Sequence, residues 1–202
     1  MTTVIDAKTV KKLRDETGAG MMDCKKALTE NDGDYEKAIE SLKLKGMASA
    51  DKKASRNTNE GLIYSYIHTG SKLGILLEIN CETDFVARRE EFVEVAKNVA
   101  MQIASNPEIQ VVSFDDIDES VKEEVRKFES GKDDLQNKPE DIRNKIVEGR
   151  VEKALNKQVL LEQDYVRDPS LTVNQYIKQV VGVLGENIQV ARFTRYVLGE
   201  AA

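Results

Sequence analysis

Tryptophan is absent and histidine occurs once, at His68, in a chain of 202 residues that is 40% apolar and 33% charged. Aromatic residues make up only 5%, which favours a helix-rich soluble domain over a sheet sandwich. A single histidine excludes a multi-histidine zinc site and leaves no second imidazole for acid-base chemistry. Cysteine is nearly as rare: Cys24 and Cys81 lie in separate patterned segments without a CxxC spacing. That pattern predicts buried free thiols in a reducing compartment. A basic surplus is missing too. Thirty-six acidic residues against thirty basic ones leave a net charge of -6, so phosphate backbones are repelled on average and nucleic acid is not expected as a direct ligand. The apolar runs are too short for a membrane span, and Met1-Thr2-Thr3-Val4-Ile5-Asp6 lacks the basic end and apolar stretch of a secretory signal. The protein is expected to stay where it is made, with no membrane partner.

What is present is helical periodicity interrupted by one strong hairpin signal. Residues 1–45 read as three short helices. In the second, Cys24, Ala27 and Leu28 share a face, and Asn31-Asp32-Gly33 supplies a turn. The third follows Asp34 as a cap, with Tyr35, Ala38, Ile39 and Leu42 at i, i+3, i+4, i+7. A three-helix domain over 1–45 follows. Between Gly46 and Asn59 the pattern dissolves into a polar, basic stretch, read as a partly helical linker over 46–59. Leu62 to Ile67 and Leu73 to Ile79 are two strand-length apolar runs around His68-Thr69-Gly70-Ser71-Lys72.

Beyond the hairpin, Phe92, Val95, Ala96, Val99, Ala100 and Ile103 mark an amphipathic helix whose first turn Thr83 or Asp84 can cap. The charged stretch from Asp115 to Lys138 reads as an exposed helix and a turn. Pro139 opens another helix reaching about Gln158, so the two predict a helical hairpin. Val173 to Leu184 repeats at helical spacing up to Gly185, and Ile188 to Leu198 reads as a last strand joining the central pair. The expected class is α+β: residues 60–202 form a core in which helices cover a small three-stranded antiparallel sheet.

Few residues point to chemistry. Thr17-Gly-Ala-Gly-Met-Met-Asp23 glances at a phosphate loop, but a glycine is missing and a helix precedes it, so a helix-helix turn is the plainer reading. Met21 and Met22 are adjacent on one helix and cannot both face a single core, which predicts that one is exposed. Phe85, at a strand-to-helix junction, is either displayed as an insertion wedge or folded back as a staple closing the first helical turn. His68 belongs to a hairpin turn, and no pattern sets it beside Cys24 or Cys81 as a nucleophile and base. Lys11, Lys12 and Arg14 are ordinary solvated charges by default.

Some of these segments are too specific to be read by pattern alone. Leu13-Arg14 with Thr17-Gly-Ala-Gly-Met-Met-Asp-Cys-Lys-Lys-Ala-Leu28, then Leu76-Leu-Glu-Ile-Asn-Cys-Glu-Thr-Asp-Phe-Val-Ala87, Ile146-Val-Glu-Gly-Arg150 and Gly185-Glu-Asn-Ile188 closely resemble the elongation factor Ts family. The resemblance implies a ubiquitin-associated-like three-helix domain, a core with a three-stranded antiparallel sheet, and a helical hairpin. It implies a guanine-nucleotide exchange factor rather than an enzyme, without catalytic residues, metal or cofactor, whose partner is the GTPase elongation factor Tu.

By that resemblance Thr83, Asp84, Phe85 and Val86 approach the partner's nucleotide domain and disturb its magnesium and phosphate binding. Lys11, Arg14, Met21 and Met22 are the matching contacts of the amino-terminal domain. Longer members carry a duplicated half of the core and a coiled-coil insertion, so this compact form is expected to make a homodimer. Ala191-Arg192 stands where paired arginines are expected. The implied location is the cytoplasm, with the plastid stroma as the alternative. Two rivals compete: a module that binds another protein through its three helices, with the core serving dimerisation, and an enzyme, for which no paired acids, triad or metal spacing appears.

Overall fold

A computed structural model describes residues 5–135 and 138–200. The chain runs α1 (Ala7–Thr17), α2 (Met21–Glu30), α3 (Tyr35–Lys53), β1 (Glu60–Ile67), β2 (Leu73–Cys81), α4 (Asp84–Ala87), α5 (Glu90–Ser105), α6 (Glu119–Ser130), α7 (Glu140–Leu155), β3 (Asp164–Tyr165), β4 (Asp168–Thr172), α8 (Val173–Leu184) and β5 (Ile188–Val197). Among the described residues β1, β2 and β5 form an antiparallel sheet in the order β1-β2-β5, and β3 pairs with β4. The class is α+β. The short β3-β4 pair is not visible in the sequence, because two and five residues are too few for a period-2 pattern to declare itself.

The chain divides into two compact units. One comprises residues 1–64, 78–98 and 175–190, the other 65–77, 99–174 and 191–202. In the first unit, Val10, Leu13, Cys24, Ala27, Leu28, Ala38 and Leu42 make one buried cluster among α1, α2 and α3. Local chemistry sets these helix ends. The Asp6 carboxylate accepts from Thr9 N at 2.6 Å, and Asp34 accepts from Lys37 N at 3.1 Å, as its position predicts. Gly18 closes α1 at φ 67°, with its N–H on the Arg14 carbonyl at 2.8 Å. The Thr17–Asp23 stretch is therefore a helix-helix turn.

α3 continues to Lys53, where its far half meets α8: a Cβ added to Gly182 would lie 2.7 Å from Gly46 Cα. Lys178 Nζ reaches Asp51 at 2.7 Å beside that crossing. In the second unit α6 packs on α7, enclosing Ile117, Leu135, Val147, Val151 and Leu155. Part of the turn predicted before Pro139 falls on 136–137, outside the described residues. The guanidinium of Arg195 donates to the carbonyls of Ile103, Asn106 and Pro107, so it satisfies the end of α5, where a cation is also favoured by the helix dipole.

Candidate functional site

The eight residues that the family resemblance marks as expected partner contacts all lie within the first compact unit. Thr83, Asp84, Phe85 and Val86 occupy the turn that leaves β2 and enters α4. The expected helix capped at Thr83 is interrupted. α4 ends at Ala87, Arg89 N donates to the Val86 carbonyl at 3.0 Å, and α5 begins at Glu90. That interruption decides where the aromatics point. Residues seven apart on an unbroken helix share a face, so a continuous helix would turn Phe85 and Phe92 the same way. Instead Phe92 is 0% exposed and Phe85 is 79% exposed. The staple reading of Phe85 fails, and the displayed ring stands.

The neighbours of Phe85 are tied down. Val86 is buried. Asp84 pairs with Arg88 at 2.9 Å on the solvent side. The Thr83 hydroxyl donates to Glu186 Oε1 at 2.6 Å, while Glu186 Oε2 accepts from the backbone N–H groups of Glu82 and Thr83 at 3.2 and 3.0 Å. In the opposite direction Glu82 Oε1 accepts from Asn187 N at 2.7 Å and from Arg56 Nη1 at 3.3 Å. Asn187, itself buried, donates through its side chain to the Ala54 and Arg56 carbonyls. Burial, and then the nearby charge of Glu186, push the Cys81 thiol up to about 11. Its Sγ donates to the Thr83 carbonyl at 3.2 Å. This thiol is a structural donor at neutral pH and not a nucleophile.

Lys11 and Arg14 are exposed on α1, and Met21 and Met22 open α2. Both methionines are exposed, at 43% and 78%, where the spacing argument requires only one. The reason is that α2 turns Cys24, Ala27 and Leu28 inward, which leaves its first turn beyond the cluster. His68 is exposed in the hairpin turn and shares a 2.9 Å hydrogen bond with Tyr66 Oη. Both cysteines are free and buried. Among the described residues no group of three or more His, Cys, Asp or Glu is arranged to hold a metal, and no helix is long and apolar enough to cross a membrane.

Residues 6–200 match the family model described as Elongation factor TS. The chain belongs to the elongation factor Ts family. It is 82% identical over 200 residues to the chloroplastic elongation factor Ts of Phaeodactylum tricornutum, covering 99% of both chains. Identity to the chloroplastic elongation factor Ts of Rhodomonas salina is 60% over 200 residues, covering 99% of this chain and 91% of that one. To the elongation factor Ts of Rippkaea orientalis it is 59% over 196 residues, covering 97% and 79%.

Within this family member, the resemblance points to the turn at Thr83–Val86 but not to what supports it. Gly185-Glu-Asn-Ile188 stands out in the sequence only as a landmark. The bonds from Glu186 to Thr83 span 103 residues, and no local period reports a contact at that distance. The one available signal is a glycine ending α8 at φ 82° directly before a carboxylate and an amide. Ala191, where an arginine is expected, is exposed and offers no cation to a partner, whereas Arg192 stands beside it.

Proposed function

We propose that this chain is the guanine-nucleotide exchange factor for elongation factor Tu in translation elongation, binding the GDP form and promoting GDP release so that GTP can follow. The carrying observation is a phenylalanine, 79% exposed, on a four-residue helix at the end of β2. An aromatic left in water at a sheet-helix junction is costly to the free protein and suited to burial in another. Phe85 enters between helices of the partner, Asp84 perturbs the polar surroundings of its magnesium and phosphates, and Thr83 and Val86 complete the contact. Lys11, Arg14, Met21 and Met22 anchor the three-helix domain, taken as 1–45, on a second site, with 46–59 as connection and 60–202 as the exchange core.

No covalent step is needed, so this chain acts as a binding factor and not an enzyme. A protein that weakens GDP binding is itself weakened by GDP to the same factor, and incoming GTP reverses the preference and frees the factor. Relatives named as chloroplastic favour the plastid stroma over the cytoplasm as its location. A homodimer is supported by the exposed apolar side chains of Ile67, Leu76, Tyr196 and Leu198 in and beside the strands.

Release of labelled GDP from elongation factor Tu tests the wedge. Phe85→Ala should remove about 2 kcal/mol of coupling, or roughly a thirtyfold loss of stimulation, with little change in melting temperature because the ring is exposed. Stimulation equal to the unaltered protein would refute it. A module for some other partner would instead fail to form any complex sensitive to GDP.

A further inference from the structure

We infer that Glu186 is a positioning residue for nucleotide exchange: its carboxylate holds the Glu82–Thr83 turn in the one shape that keeps Phe85 presented outward. The inference rests on the wedge reading of Phe85. A helix of four residues, Asp84–Ala87, cannot hold its own geometry, because a single turn does not recover the cost of nucleation. The Thr83 hydroxyl contributes little as a cap, since it receives the Val86 N–H only at 3.5 Å. An exposed ring on so short a helix would gain by collapsing onto its own protein. Something outside the helix must therefore oppose that collapse.

Glu186 meets that requirement. One of its oxygens takes two successive backbone N–H groups, those of Glu82 and Thr83, and the other takes the Thr83 hydroxyl at 2.6 Å. Charge-assisted bonds of this kind are about twice as strong as neutral ones and fix direction as well as distance. The clasp is reciprocal. Glu82 accepts from Asn187 N at 2.7 Å, and Asn187 is anchored by two carbonyls at residues 54 and 56. Both backbone segments are thus held, each by the carboxylate of the other. With the turn fixed in advance, little conformational freedom is lost when the ring engages the partner. Glu186 is half-buried and both of its carboxylate oxygens are engaged by the turn, so the role inferred for it is exerted through Phe85.

A double-mutant cycle reads this role. GDP release from elongation factor Tu is measured at saturating factor for the full-length protein, Glu186→Ala, Phe85→Ala and the double variant, alongside thermal melting of each. Glu186→Ala alone should slow stimulated release by about tenfold, yet add nothing once Phe85 is gone, because the group it positions is absent. Its effect on melting should be the same in both backgrounds. Glu186→Gln keeps the volume and one acceptor oxygen and should recover part of the rate, and it supplies the same cycle if the alanine variant does not fold. Equal slowing by the Glu186 substitution with and without Phe85, or no slowing at all, would overturn the positioning role while leaving the wedge intact. Phe85→Ala releasing GDP at the unaltered rate would overturn the wedge, and this inference with it.

Discussion

At the scale of single residues, the structure turns on side chains whose surroundings contradict their neighbours in sequence. Phe85 and Phe92 are both aromatics of one short segment, and one is displayed while the other is sealed. Cys81 shows how close the displayed turn lies to the interior. Its thiol is buried, donates to the Thr83 carbonyl, and is held up to about 11 from an ordinary 9.0. The folded state keeps this proton while the unfolded chain releases it between about pH 9 and 11. The contribution is therefore complete below pH 9 and disappears as pH rises through 11. In urea titrations at pH 8 and pH 10.5, the unaltered protein should lose about 2 kcal/mol more stability than Cys81→Ala over that interval. Equal losses would show that the thiol is not perturbed. Exposure of Phe85 is half legible in sequence: its place at a junction is evident, but the helix break at Arg88-Arg89 that rotates it away from Phe92 carries no glycine or proline to announce it.

At the scale of elements, the crossing of α3 and α8 is asymmetric in a way that mutation can read. A methyl group on Gly46 would sit 3.7 Å from Gly182 Cα, an ordinary contact, whereas one on Gly182 would meet the Gly46 backbone at 2.7, 3.2 and 3.3 Å. Gly46→Ala should be neutral or stabilising by up to about 1 kcal/mol, because alanine is the better helix former. Gly182→Ala should lower the melting temperature despite the same gain in propensity, since overpacking against backbone costs about 1–3 kcal/mol and no rotamer change relieves it. Equal melting temperatures for the two variants would contradict the crossing. Most elements are legible because their causes are local: Asp34 capping α3, Gly18 closing α1, Pro139 beginning α7 and Gly185 ending α8. The continuation of α3 through Lys53 is legible only as partial helix, because its stripe of large apolar side chains gives way at the α8 crossing to Gly46.

At the scale of the whole molecule, one chain leaves apolar side chains of its strands in water. Leu76 on β2 and Tyr196 on β5 are exposed while Ile75 and Leu77 beside Leu76 are buried, as the alternation of a strand with one inward face requires. A second copy can cover the outward residues. Sedimentation should therefore give twice the 22.7 kDa of a single chain, and Leu76→Glu should return the mass to that of one chain without unfolding it, because a charge at an exposed site carries little penalty in the monomer. A monomeric unaltered protein would remove the homodimer.

The amino-acid sequence by itself determined the class, the main helices and the central hairpin, because periodicity, capping and turn chemistry act over a few residues, while the segment from Thr83 to Val86 was marked as the place to look only by its resemblance to the elongation factor Ts family. Only the tertiary structure decided that Phe85 faces out, that both Met21 and Met22 are exposed, and that Glu186 reaches back over 103 residues to grip the turn. Those outcomes depend on which distant backbone groups the fold brings within hydrogen-bonding reach, and separation along the chain holds no record of that distance.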